Sequence, residues 1–114
     1  MIIDQIPAKK EELFAYGLKW DVLQEAGVLG RKVESWVAKK VVEYMGAEEK
    51  ELVQFAMEQI VARKSPHEMI EQLQIVLEEE AEMFVIKLWR MLIFEQERFL
   101  YQQKKTTSPG RSPA

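Results

Sequence analysis

Residues 79–103, EEAEMFVIKLWRMLIFEQERFLYQQ, set the terms for everything else in the chain. Apolar side chains recur there at Ala81, Phe84, Val85, Leu88, Trp89, Leu92 and Ile93, the three-and-four spacing of one helix face, while Lys87, Arg90 and Glu95 fall elsewhere. Met83, Ile86, Met91 and Phe94 widen the apolar arc beyond what a surface helix needs, so several partners must cover it. At 1.5 Å per residue this helix would run roughly 37 Å, about the span of a small domain. The remaining helices can only be laid against it.

The material available to cover it is ample for one domain: 114 residues, of which 47% are hydrophobic. Cysteine is absent, which excludes disulfide frameworks, thiolate metal sites and cysteine nucleophiles and is compatible with a reducing intracellular compartment. The most apolar run, Met83 to Phe94, is interrupted by Lys87 and Arg90, so no membrane span is expected. The net charge of −3 argues against a wholly basic nucleic-acid binder, but the charge is unevenly placed. Residues 66–103 hold three basic and eight acidic side chains, a balance of −5, whereas residues 1–65 are near neutrality and the tail from Lys104 adds three positives. Any basic face must come from the first half and the tail.

Upstream of the long helix the chain divides at glycines and prolines. After an apolar lead-in (Met1 to Ile6), PAKKEELFAY predicts a short helix ending at Gly17, and WDVLQEA a second one closed by Gly27, with Gly30 as punctuation. From Arg31 to Met45, Val33, Trp36, Val37, Val41 and Tyr44 line one face, and Gly46 supplies a residue able to take positive φ. Glu48 to Arg63 follows, with Leu52, Phe55, Ala56 and Ile60. Ser65-Pro66-His67-Glu68 is a capping box and the sharpest boundary in the sequence. From it the stripe Met69, Ile70, Leu73, Val76, Leu77 runs without glycine or proline into the long helix. One continuous helix from Pro66 to Gln103 would be about 57 Å long, too long for a compact domain of this size, which places a tight break near Leu77 to Glu80. The reading is an all-α, four-helix domain over residues 1–103 with short extra N-terminal helices. Residues 104–114, KKTTSPGRSPA, read as a disordered basic Ser/Pro tail in which Ser108 and Ser112 precede proline as in proline-directed phosphorylation sites. The bare ends suggest a domain excised from a longer protein.

Chemistry is sparse. The single histidine, His67, lacks the second histidine of H-E-x-x-H and reads as a solvent-facing first-turn residue; the triplet Glu78 to Glu80 reads as a solvated helix start. No phosphate loop, GxSxG elbow or metal-ligand spacing is present, so neither an enzyme nor a cofactor is expected. The Met and aromatic stripes follow the helix repeat and read as core. Lys32 and Lys39, two turns apart on one face, with Lys40 and Arg31 beside them, could offer a positive ridge to phosphate oxygens, or could be ordinary solubilising lysines; Lys9, Lys10 and Lys19 join the candidates.

The stretch Glu34-Ser35-Trp36-Val37-Ala38-Lys39-Lys40 resembles the PWI domain of pre-mRNA splicing factors, a small four-helix module named for a Pro-Trp-Ile tripeptide followed by a basic pair. The likeness extends across Ile6 to Glu97, through IPAKKEELFAY, WDVL, EYMGAEEKELVQF, the Ser-Pro helix start and LEEEAEMFVIKLWRMLIFE. Ser35 and Val37 stand where the family has proline and isoleucine; a first helical turn accepts either serine or proline, and valine keeps the branched apolar contact. The resemblance implies binding of RNA, and also DNA, with low sequence selectivity, in a nuclear, spliceosomal setting. Carried over, the basic pair is Lys39 and Lys40, preceded by Arg31 and Lys32, while the family's basic flanks are represented by Lys104, Lys105 and Arg111. The resulting expectation is a monomer that binds RNA phosphates, with Trp36, Val37, Phe84, Leu88 and Trp89 as core rather than base-stacking platforms. The alternative is a protein-docking module of the spliceosome, using the acidic segment 66–103 or an exposed apolar groove.

Overall fold

The long apolar stripe does become one helix, and the others are arranged by it. The computed structural model describes residues 9–106, with side chains to residue 103. Six α-helices follow in order: α1 (Lys10–Ala15), α2 (Trp20–Glu25), α3 (Val33–Met45), α4 (Lys50–Val61), α5 (Pro66–Leu77) and α6 (Glu80–Thr106). There is no strand among the described residues. The lead-in and the Ser108 and Ser112 positions lie outside the described residues.

All seven stripe residues of α6, from Ala81 to Ile93, are buried, and so are Leu13 of α1, Leu23 of α2 and the four-spaced rows Val33/Val37/Val41, Leu52/Ala56/Ile60 and Met69/Leu73/Leu77. These form one core cluster. α5 makes the most extensive contact with α6, and α1, α2 and α3 also pack on it; α4 leans chiefly on α3 and α5. The expected wider arc is only partly covered. Met83, Lys87 and Arg90, at i, i+4 and i+7, are exposed and form the one bare strip of α6, while Ile86 and Met91 are half-buried against the core.

Helix ends follow their local chemistry. Gly17, Gly27 and Gly46 have φ of 84°, 77° and 79°, the left-handed conformation that glycine adopts without steric cost. The expected start of the third helix at Arg31 moves to Val33, because Gly30 (φ −97°, ψ −119°) breaks helical geometry and Val28–Lys32 forms a wide turn instead. α6 continues three residues beyond the expected end, through Lys104 and Lys105 to Thr106, since polarity alone does not stop a helix that has no proline or glycine. At the start of α5 the Ser65 hydroxyl accepts from Glu68 N–H at 3.2 Å and the Glu68 carboxylate accepts from Ser65 N–H at 3.0 Å. Between α5 and α6 the chain turns at Glu78, whose φ of 55° and ψ of −127° is a conformation that L-residues rarely adopt.

Two expected outcomes follow from these ends. Strain of the Glu78 kind costs about 1–3 kcal/mol, against about 0.5–1 kcal/mol of extra unfolded-state entropy for glycine. Glu78→Gly is therefore expected to stabilise the domain by roughly 1 kcal/mol, read as a higher melting temperature in a calorimetric scan. The bond from Ser65 N–H holds the Glu68 carboxyl below its usual value of 4.5. Its stabilising contribution is complete above that pH and disappears as pH falls through the lowered folded value. In urea titrations, Glu68→Gln is expected to be less stable than the parent at pH 7 and to lose less stability than the parent on acidification.

Candidate nucleic-acid interface

Burial of Val33, Val37 and Val41 turns the other side of α3 outward and places its cations along two edges. On the edge toward α4, Arg31 and Lys39 line a groove of about 1300 Å³. Both are exposed, and no carboxylate of the described residues forms an ion pair with either. The other edge is where Trp36 meets Phe84 of α6, with ring centroids 5.8 Å apart. Here Lys40 lies 5.6 Å from the centre of the Trp36 ring and pairs with Glu43 at 3.2 Å, and Lys32 pairs with Glu95 of α6 at 3.0 Å. Trp36 is half-buried while Val37, Phe84, Leu88 and Trp89 are buried. With Phe84 beside the indole and Lys40 over it, a base could stack on Trp36 only by displacing the lysine. Ser35 sits in the first turn of α3 and is exposed, so the position that distinguishes this chain from the proline pattern makes no demand on the core.

The C-terminal half of α6 gathers contacts from three segments, two of them through cations. Glu95, 7% exposed, accepts from Lys32 and also from Arg98 at 2.9 Å. Gln96, 1% exposed, accepts from the backbone N–H of Lys19 at 2.6 Å, which fixes the start of α2 beside the same turn of α6. Lys19, Lys32 and Arg98 thus converge on two adjacent residues. Burial, and after it the nearby carboxylate of Glu97, pushes the pKa of the Tyr16 phenol up.

Lys10 does not join this cluster. It pairs with Glu82 at 2.8 Å, and that bond raises its pKa. Glu82 lies thirteen residues before Glu95, roughly 20 Å away along α6. The candidate cations are therefore divided: Lys10 is held at Glu82 in the first turn of α6, away from Glu95. Lys104 and Lys105 belong to the last turns of α6, past Arg98. Of the cations outside the candidate set, three make contacts that bear on the site. Lys50 lines the α3/α4 groove, Arg98 shares Glu95, and Lys87 lies 5.8 Å from the Tyr44 ring centre. A lysine opening a helix at α4, against the helix dipole, was the one sequence signal that could have marked Lys50.

The exposed pair with Glu43 holds Lys40 only loosely. Exposed pairs are worth about 0.2–1 kcal/mol. If Lys32 left Glu95 for another anion, Arg98 would still pair with that carboxylate. Among the described residues no group of three His, Cys, Asp or Glu side chains could hold a metal ion, and no helix is long and apolar enough to cross a membrane. His67 is exposed, its ring edge-on to Phe14 at 5.5 Å.

Helix order, the Ser-Pro cap and the cation pair after the tryptophan point one way, and a family model described as the PWI domain matches residues 31–99. The chain belongs to the PWI family. That match begins at Arg31 and ends at Phe99, so α3 to α5 and most of α6 are the PWI domain itself. RNA-binding protein 25 of Mus musculus is 42% identical over 96 residues, covering 84% of this chain and 11% of that protein. RNA-binding motif protein 25 of Arabidopsis thaliana is 44% identical over 97 residues, 85% of this chain and 11% of that protein. The U1 snRNP-associated protein usp107 of Schizosaccharomyces pombe is 32% identical over 91 residues, 80% of this chain and 13% of that protein. The chain thus spans little more than a tenth of the length of these relatives. Their likeness runs longer than residues 31–99, so it takes in part of the chain before the PWI match.

The bond from Lys19 to Gln96 yields a stability test for the PWI domain. Gln96→Leu leaves a buried N–H without its acceptor, which costs about 1–3 kcal/mol. The urea midpoint is expected to fall accordingly while the far-UV spectrum keeps its helical form.

Proposed function

We propose that this PWI domain is an RNA-binding module of a nuclear pre-mRNA splicing factor, working among spliceosomal proteins as a monomer and without catalysis. Its site is the outer face of α3 together with the adjoining end of α6. Arg31 and Lys39 meet phosphate oxygens first, because they have no carboxylate to leave. Lys32 and Lys40 follow by exchanging their pairs for phosphate, and Lys19, Lys104 and Lys105 extend the track. The observation that carries this reading is that Arg31 and Lys39 stand exposed on the outer face of α3 without an ion pair to a described carboxylate, while Lys32 and Arg98 share the single carboxylate of Glu95 beside the start of α3.

Contacts of this kind reach the backbone rather than base edges, so single-stranded RNA and DNA are bound with little regard to sequence and with strong dependence on salt. The names of the relatives, an RNA-binding protein and a U1 snRNP-associated protein, favour the same setting. The ELFAY lead-in and the last helix further resemble the C-terminal PWI domain of RNA-binding protein 25, and the proposal includes that correspondence.

Lys39→Glu combined with Lys40→Glu is expected to weaken binding of a single-stranded RNA at least tenfold at low salt, in a mobility-shift titration, with the circular dichroism spectrum unchanged. The plot of log affinity against log salt should flatten by roughly 1.4, from about 0.7 for each lost single-strand phosphate contact. Unchanged affinity and slope would remove both lysines from the site.

A further inference from the structure

The groove between α3 and α4 is not explained by phosphate binding. Its floor is apolar: Val42 is 41% exposed and Val61 65%, and Val53 and Met57 are half-buried beside them. Carboxylates outnumber cations on its rim, with Glu34, Glu48, Glu49 and Glu58 against Arg31, Lys39 and Lys50. None of these seven charges forms an ion pair within the described residues, whereas Lys10, Lys32, Lys40, Arg63 and Arg98 all do elsewhere. An apolar floor between uncommitted charges of both signs is the pattern of an interface with its occupant missing.

We infer that this groove docks an amphipathic α-helix from another protein, its apolar stripe flanked by Lys or Arg on one side and by Asp or Glu on the other. The charge arrangement selects that chemistry. The α3 wall is mainly positive through Arg31 and Lys39, and the α4 wall mainly negative through Glu48, Glu49 and Glu58. A helix suits the groove better than an extended peptide, since both walls are helices with their backbone groups already paired and no sheet edge is available to add a strand to. The distance from Arg31 to Val42, eleven residues or roughly 16 Å of helix rise, accommodates about three turns, with anchors at i, i+4, i+7 and i+11. A second copy of this chain is a poor occupant through the same face, because two concave surfaces do not fill one another. Phosphates can reach Arg31 and Lys39 at the rim, but the apolar floor and the excess of carboxylates do not suit RNA as the occupant of the groove itself.

The experiment is a display selection on the intact chain with a binary-patterned library of helical peptides, apolar at the anchor positions and randomised among Lys, Glu and Gln at the flanks. Val61→Glu is the groove variant and Ile75→Glu, on α5, the control; both positions are exposed enough to leave the core untouched. Enriched peptides are expected to segregate positive and negative flanks, to bind Val61→Glu at least tenfold more weakly, and to bind Ile75→Glu as they bind the parent. Glu49→Lys with Glu58→Lys should likewise weaken them tenfold and favour peptides whose basic flank is exchanged for an acidic one. Failure of any peptide to enrich, flanks without charge segregation, or equal binding to Val61→Glu would overturn the inference. So would a parent dimer in sedimentation that Val61→Glu dissolves, which would assign the face to a second copy. Arg31 and Lys39 serve both readings, so the uncharged Val61→Ser separates them: it should weaken the peptides and leave the RNA mobility shift unchanged, and either reading can fail without the other.

Discussion

The domain depends on the width of the apolar face of α6. A helix with buried residues at Phe84, Val85, Leu88, Trp89, Leu92 and Ile93 has more greasy surface than a single neighbour can cover, and α1, α2, α3 and α5 all pack against it. Burial of each large side chain contributes about 1.5–3 kcal/mol, so no covering helix can be spared cheaply. This arrangement pushes α4 outward, onto α3 and α5. The open groove beside α3 is a by-product of that displacement: α4 closes the core through Leu52, Ala56 and Ile60 but has no second layer over Val53, Met57 and Val61.

Past Ile93 the buried side of α6 changes character. Glu95, which the spacing placed off the apolar stripe, is buried there together with Gln96, because the segments around Lys19 and Lys32 fold over this turn. A buried polar group is tolerated when its hydrogen bonds are met, and these are met by Lys32, Arg98 and the backbone of Lys19. The satisfaction of two buried side chains therefore determines where the cations of distant segments are found. Electrostatics at this end of the molecule follows from packing requirements as much as from the number of basic residues.

Much of this was legible in the sequence, and the boundary of legibility is physical. The α6 stripe, the Ser65–Glu68 cap and the glycine-ended helices rest on interactions within a few residues, which spacing and residue type encode directly. The corner at Glu78 was placed by the size of the domain, although no breaker residue marks it. The start of α3 was missed by two residues, since the backbone of Gly30 depends on how the preceding turn packs. The pairing of cations with carboxylates was not readable at all: Lys32 and Glu95 are 63 residues apart, and only the tertiary arrangement joins them. For the same reason Lys10 had been grouped with cations that lie far from it. An exposed apolar groove was raised as an alternative, but not its place between α3 and α4, because hydrophobicity alone does not tell the exposed Val42 and Val61 from core valines.

The sharing of Glu95 has a consequence for what an approaching polyanion experiences. Lys40 with Glu43 sums to zero, and Lys32, Arg98 and Glu95 sum to plus one only until Glu97, two residues further along the helix, is counted, which brings that cluster to zero as well. At separations near the Debye length, about 10 Å at moderate ionic strength, the monopole is felt and the individual bonds are not. Two clusters that look neutralised at contact distance therefore remain neutral from afar, and neither by itself draws in negative charge.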